Sequence, residues 1–247
     1  MKQLLLLLML GSLLPSARAD SAFAPQLVDQ SRAVYTTLTS YADSGEVLDQ
    51  FGPKPENSYR HRFRTYFRAP RHFLFEFTQD ARAGGNRIVI WCDVGDFQSW
   101  SSATQQHATY PRGSNTAVLA FQQFASSTGR SVTLIPALLF QGSGLVSSFA
   151  EFGDAVAAGS EKIGDTPAIK LDGVARSRYD KTQRETNVRR ATVWIDPQTH
   201  LLRRILEDTP EGLPATAVMR ITTTLQPQAN PTLADSVFKF TVPTARK

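Results

Sequence analysis

The first regular pattern of the chain is helical. Across residues 25–42 the apolar positions Leu27, Val34, Leu38 and Tyr41 recur at intervals of a helix turn, and Ser31 fills the gap on the same stripe. The pattern predicts an amphipathic helix from residue 25 to about residue 42, packed against another element.

Beyond Gly45 the period shortens to two residues. Residues 60–68 alternate an apolar or aromatic set with arginines at Arg60, Arg62, Arg64 and Arg68. After a turn at residues 69–70, the alternation resumes over residues 72–78. The two runs predict a β-hairpin with one apolar face and one arginine-lined face. The phenylalanines of the apolar face are Phe63, Phe67, Phe73, Phe75 and Phe77.

Residues 88–92 are apolar at every position, which indicates a strand covered on both faces. A strand over residues 97–100 and a polar strand ending near Tyr110 follow. A helix capped by Asn115 is expected next, with Val118, Leu119, Phe121 and Phe124 as its apolar stripe and Gly129 at its exit.

A second, short helix is expected around Pro136. It carries the apolar residues Leu138, Leu139 and Phe140, has hardly any polar face, and is followed by the flexible sequence Gly-Ser-Gly at residues 142–144. This pattern is typical of a mobile apolar lid.

The two-residue period returns in the rest of the chain. Strands are predicted near residues 161–164, 168–174, 188–196, 201–207, 217–225 and 237–242. A sheet of this size curls instead of staying flat. The predicted fold is α+β: an incomplete, unclosed antiparallel β-barrel curled around lid helices, forming a single domain over residues 20–247.

The N-terminus is typical of a secretory signal peptide over residues 1–19. Lys2 precedes an apolar run that is too short to span a bilayer, and Ala17-Arg18-Ala19 offers a cleavage site after Ala19. No cysteine lies near that site, so no acylated N-terminus is expected. We expect an exported periplasmic protein; an uncleaved helical anchor is the alternative.

Charge and composition exclude several functions. The chain has 27 basic and 22 acidic residues, a net charge of +5, which falls to +3 without Lys2 and Arg18. This is too mild for nucleic-acid binding. The single cysteine, Cys92, permits no intramolecular disulfide and no zinc site built on cysteine pairs, and its strand position indicates a buried, inert thiol.

Catalytic and metal-binding patterns are not apparent. The four histidines are scattered, and Ser143 lacks the strand, Gly-x-Ser-x-Gly and helix frame of a hydrolase nucleophile. We therefore expect no enzyme, no metal and no cofactor.

The aromatic excess points to a container for an apolar ligand, because a curled sheet only partly filled by helices leaves room on its concave face. The alternative is that helices fill that face and the aromatic residues are ordinary core. The predicted ligand-binding residues are Phe63, Phe67, Phe73, Phe75, Phe77, Trp100, Leu138, Leu139, Phe140 and Trp194.

The C-terminal third adds a resemblance. Residues 193–199 read Val-Trp-Ile-Asp-Pro-Gln-Thr, residues 230–233 read Asn-Pro-Thr-Leu, and residues 238–243 read Phe-Lys-Phe-Thr-Val-Pro. Together with the segment from Phe67 to Phe73, this order resembles the LolA/LolB-like lipoprotein-carrier superfamily. The resemblance implies a half β-barrel with helices as a lid, and a cavity that holds the acyl chains of lipoproteins or other lipids.

These observations favour a non-enzymatic periplasmic binding or transfer protein, expected to be a monomer, whose partner is a lipid or an acylated lipoprotein. An envelope sensor or scaffold of the same fold is the alternative. That protein would bind another envelope protein through the arginine face, at Arg62 and Arg64.

Overall fold

The computed structural model describes residues 22–52, 54–113, 116–177, 187–208 and 219–243. The predicted signal peptide and the predicted cap at Asn115 lie outside these residues. The helices are α1 Phe23–Thr36, α2 Thr116–Gln122, α3 Ser131–Leu134 and α4 Pro136–Leu139. The strands are β1 Ser40–Phe51, β2 Ser58–Arg68, β3 His72–Thr78, β4 Arg87–Cys92, β5 Phe97–Ser101, β6 His107–Tyr110, β7 Phe152–Ile163, β8 Thr166–Ser177, β9 Asn187–Ile195, β10 Leu202–Glu207, β11 Met219–Leu225 and β12 Gln228–Ala229.

Within the described residues, twelve strands form one antiparallel sheet. The order is β6-β5-β4-β3-β2-β1-β11-β10-β9-β8-β7, with the short β12 paired to the start of β1. The two outermost strands, β6 and β7, are not joined in this order, so the sheet is unclosed. The predicted fold class, an incomplete antiparallel barrel with lid helices, is confirmed.

One face of the sheet, the inner face, is covered by the helices. Alternate residues of the strands point to it and form a single hydrophobic cluster with α1 and the helical segments of residues 116–139. On β2, for example, Phe63, Thr65 and Phe67 are buried, whereas Arg62 and Arg64 are exposed on the opposite, outer face. The predicted hairpin of residues 60–78 is thus confirmed as β2 and β3.

The first helix is shorter than predicted, and the strand after it was missed. Helix α1 ends at Thr36, and Tyr41 belongs to β1. The alternation of β1 is hard to recognise because its inward positions include Asp43 and Gly45 among apolar residues. Asn230 fixes the junction, since its Oδ1 accepts hydrogen bonds from the N–H groups of Thr39 and Ser40.

Two further predictions are wrong in detail. Residues 237–242 are not a strand; a 3₁₀ turn at Asp235–Phe238 leads into an extended segment that crosses the outer face. In α2 the predicted stripe is rotated, because Leu119 is 62% exposed while Ala117, Ala120 and Phe121 are buried.

Other elements follow the prediction. Strand β4 is buried on both faces, with Ile88 and Ile90 inward and Val89 and Trp91 outward. The short helix at Pro136 is α4. No helix in the described part of the chain is both long enough and apolar enough to cross a membrane.

Candidate functional site

The aromatic residues of β2 and β3 meet across the hairpin. The register pairs Phe63 with Phe77 and Phe67 with Phe73, and Phe75 lies between them. All five phenylalanines are at most 5% exposed, and the rings of Phe63 and Phe75 stack at a centroid distance of 5.9 Å. The hairpin therefore presents a continuous aromatic floor to the inner face.

Phe140 is the centre of an aromatic cluster at one end of this floor. Its ring centroid lies 5.5 Å from that of Phe67, 5.3 Å from Phe73, 5.4 Å from Phe97 and 6.1 Å from Phe121. Most of these contacts are edge-to-face, the arrangement that aromatic quadrupoles favour. We call these five rings the aromatic cluster. Phe140 fills the space between the other four.

The segment that carries Phe140 has little regular structure of its own. We call residues 131–144 the lid segment; it contains two single-turn helices, α3 and α4, and ends in Gly142 and Gly144, both at positive φ. Leu138 is buried against the inner face, and Leu139 and Phe140 are half-buried. Single turns gain little from helix hydrogen bonding, so packing of these apolar side chains holds the segment in place.

A polar latch ties both sides of the lid segment to the sheet. Glu207 of β10 points inward and is 3% exposed. Its Oε1 accepts a hydrogen bond of 2.9 Å from the Arg130 guanidinium, just before the segment, and one of 2.6 Å from the Ser148 hydroxyl, just after it. Two donors on one buried carboxylate satisfy its charge and fix the position of the segment.

An open groove of about 420 Å³ adjoins the aromatic cluster, and we call it the mouth. Leu139, Phe140 and Phe97 give it an apolar wall, and Arg71 lies at its side with the guanidinium 5.4 Å from the centre of the Phe97 ring. Phe140 thus separates the outside of the molecule from the aromatic floor.

Eight of the ten predicted ligand-binding residues belong to, or pack against, the hydrophobic cluster of the inner face. They are Phe63, Phe67, Phe73, Phe75, Phe77, Leu138, Leu139 and Phe140. The other two face away. Trp100 packs on the outer face with Trp91, and Trp194 packs there with Ile163 and Leu206. Each lies one residue out of phase with its inward neighbours, Ser99 and Val193, and a one-residue shift moves a side chain to the opposite face.

Phe97 and Phe121 were missed as members of the site. Phe97 is the inward residue at the start of β5, the strand in which the sequence analysis selected Trp100. Phe121 was recognised only as part of a helix stripe. The signal that could have identified Phe121 is an aromatic residue on a predicted helix that is expected to pack against an aromatic strand face.

The inner face also holds a buried acid. Asp43 of β1 is 3% exposed, and its Oδ2 accepts a 2.7 Å hydrogen bond from the Tyr41 hydroxyl, whereas Oδ1 has no hydrogen bond of good geometry within the described residues. Burial raises the pKa of Asp43 to about 6, because the charged form loses its hydration. Burial also raises the pKa of Tyr35, whose ring lies 5.7 Å from that of Tyr41, above its usual range.

Groups suited to other chemistry are sparse in the described ranges. They contain no set of three His, Cys, Asp or Glu side chains placed to hold a metal ion. Cys92 is fully buried, and burial raises its pKa, which keeps the thiol protonated. The arrangement as a whole is suited to apolar contact.

No protein-family model matches the chain, and no curated protein matches it in sequence. Solved structures do. LprF of Mycobacterium bovis is 11% identical, with 90% of this chain and 97% of that chain covered and a TM-score of 0.48. The lipoprotein LppX of Mycobacterium tuberculosis is 15% identical, with 85% and 98% covered and a TM-score of 0.46. A LolA superfamily protein of Nitrosomonas europaea is 10% identical, with 88% and 97% covered and a TM-score of 0.35.

Proposed function

We propose that this chain is an exported, non-enzymatic binding protein that holds an acyl chain of a lipid or a lipoprotein against its inner face. The mature protein begins at Asp20, folds as one unit and works in the periplasm. The ligand enters at the mouth and occupies the position that Phe140 takes in the closed form.

The observation that carries this proposal is the aromatic cluster. The Phe140 ring packs against four others, yet Phe140 directly follows a single-turn helix and lies just before the two glycines at positive φ that end the lid segment. A ligand can displace a side chain held in this way, because an acyl chain offers the same apolar contact to the other four rings, those of Phe67, Phe73, Phe97 and Phe121. Burial of that chain contributes about 25 cal/mol per Å² of apolar surface.

The test begins with the protein secreted to the periplasm of a bacterial host and purified without detergent. Native mass spectrometry and lipid extraction then show what it carries. The wild type is expected to contain a lipid with an acyl chain. Leu139→Glu places a charge on the lid segment beside Phe140 and is expected to abolish the co-purified lipid.

Leu119→Glu is the matched control. Leu119 has the same side chain but is 62% exposed on α2, so the substitution adds the same charge without entering the mouth. Lipid retained by Leu119→Glu and lost by Leu139→Glu supports the proposal. A folded wild type that carries no lipid, and that binds no fatty acid when titrated with one, contradicts it.

A further inference from the structure

The outer face carries a groove of about 560 Å³ that runs across five neighbouring strands, β10, β11, β1, β2 and β3. We call it the outer groove. The register arranges its side chains in two rows. One row runs Arg204, Thr224, Glu46, Arg62 and Thr78; the other runs Gln226, Ser44, Arg64 and Glu76. Five strands at about 4.8 Å spacing give the first row a span of about 19 Å.

The charges in the outer groove do not cancel. Glu46 forms an ion pair with Arg60, and Glu76 forms ion pairs with both Arg64 and Arg87. Both carboxylates therefore already have cationic partners. Arg62 lies between them and has no ion-pair partner in the described ranges.

Neutral side chains of the groove also have hydrogens to donate. The Gln226 Oε1 accepts the Ser44 hydroxyl at 3.0 Å, which leaves the amide N–H groups of Gln226 available. The Thr224 Oγ1 accepts from the Arg204 Nε at 3.3 Å, which leaves its own hydroxyl hydrogen available. The groove thus combines an uncommitted guanidinium with amide and hydroxyl donors.

We propose that the outer groove binds a phosphate-type oxyanion, with Arg62 as its main contact. Arg64 lies two residues further along the same strand, and Arg204, which pairs with Glu161, lies at the far end of the row. A guanidinium presents N–H groups in a planar fork that matches two oxygens of such a group, and charge-assisted hydrogen bonds of this kind are the strong ones. The volume of the groove lies in the range of small-molecule sites. The site is on the opposite face from the aromatic cluster and does not depend on acyl-chain binding.

The first test titrates the purified mature protein with inorganic phosphate and with glycerol 3-phosphate, at constant ionic strength. Calorimetry gives the affinity, and amide shifts near Glu46, Arg62 and Thr224 locate the site. Arg62→Gln is expected to weaken binding by about tenfold or more. Arg220→Gln is the matched control, since Arg220 lies on β11, pairs with Asp208 and loses the same charge outside the groove.

A second test looks for a variant with higher affinity for phosphate, a result that misfolding cannot produce. Glu46→Gln keeps the shape of the side chain and removes a negative charge from the row that contains Arg62. It is expected to bind phosphate several-fold more tightly than the wild type. Leu139→Glu, on the other face, is expected to bind phosphate as the wild type does, which separates this site from the proposed cargo function.

Vesicles distinguish the two sources of the oxyanion. Binding to phosphatidylglycerol vesicles that is weakened by Arg62→Gln identifies a lipid headgroup as the source; phosphate binding without vesicle binding identifies a free phosphate. Both outcomes support the site. Equal weakening by Arg62→Gln and Arg220→Gln, or binding of an acidic peptide without any binding of phosphate or vesicles, overturns the proposal.

Discussion

At the scale of single residues, Gly45 shows how tightly the sheet is packed at its centre. It is paired with Phe63 across β1 and β2, and the Phe63 ring occupies the space that a side chain at residue 45 would need. A Cβ there would also lie 2.7 Å from the Thr224 carbonyl oxygen, which is backbone and cannot rotate away. Glycine at this position leaves room for the Phe63 ring to pack directly against the backbone of β1.

Gly45→Ala is therefore expected to destabilise the protein by about 2 kcal/mol, the cost typical of overpacking a filled site. Urea unfolding followed by circular dichroism measures the change. Gly95→Ala is the control, because a Cβ at residue 95 meets nothing nearer than 3.9 Å, and its effect is expected to stay within about 0.5 kcal/mol. Equal stability of the two variants would show that Phe63 can move aside freely.

Asp43 gives a pH dependence. Its pKa is about 6 in the folded protein because of burial, whereas an unfolded chain has a value near 3.8. Between these values the unfolded state binds fewer protons than the folded state, so the free energy of unfolding falls as pH rises. The contribution is complete below pH 4 and is lost by about pH 6, for a total of about 3 kcal/mol.

Asp43→Asn removes that titration and keeps an acceptor for the Tyr41 hydroxyl. The wild type is expected to lose about 3 kcal/mol more than the variant between pH 4 and pH 7, as measured by urea unfolding at both pH values. Parallel behaviour of the two proteins would mean that Asp43 is not the buried acid that titrates.

At the scale of elements, the lid segment depends on its latch. Arg130→Met removes the guanidinium and leaves the Glu207 carboxylate buried without its cationic partner, a change expected to cost about 3 kcal/mol. Hydrogen exchange of residues 131–144 should accelerate at the same time. Arg220→Met, which breaks an exposed pair with Asp208, is expected to cost less than about 1 kcal/mol and to leave that exchange unchanged. Unchanged exchange in Arg130→Met would show that apolar packing alone holds the lid segment.

The C-terminal segment acts as a strap over the outer face. Phe240 places its ring 4.9 Å from Trp91 and 5.7 Å from Trp100, although the segment forms no strand. The same apolar alternation that predicts a strand thus serves here to cover two tryptophans, which a sequence pattern alone does not distinguish from pairing in a sheet.

Phe240→Ala should expose both tryptophans. We expect a red shift of tryptophan fluorescence and a loss of stability of about 2 kcal/mol, since a half-buried aromatic ring is removed. Thr241→Ala changes the adjacent exposed residue and is the control for both measurements. A fluorescence spectrum unchanged by Phe240→Ala would contradict the described position of the strap.

Strong periodicity decided which elements were predictable. The hairpin β2–β3 and the doubly buried β4 carry clear patterns, and both were recognised. Strand β1 was missed because its inward residues Asp43 and Gly45 are determined by tertiary packing, which local sequence does not reveal. The clear alternation of β2 and β3 also placed the phenylalanines of the floor on the correct face. Trp100 and Trp194 were placed on the wrong face.

At the scale of the whole molecule, the centre of the sheet joins distant parts of the chain. Strands β1 and β11 pair from Gly45 with Leu225 to Phe51 with Met219, and one half of the sheet lies on each side of this seam. Everything from β2 to β6 is therefore attached to the rest of the sheet through strands about 170 residues apart in sequence.

This seam sets the order in which parts of the sheet can form during synthesis. A nascent chain can form β1 to β6 early. The sheet that carries the aromatic floor is complete only after the residues near the C-terminus have been synthesised. Such non-local pairing slows folding and lengthens the time for which apolar surface is exposed. The first half of the chain is therefore the part whose apolar surface a chaperone would have to protect during synthesis.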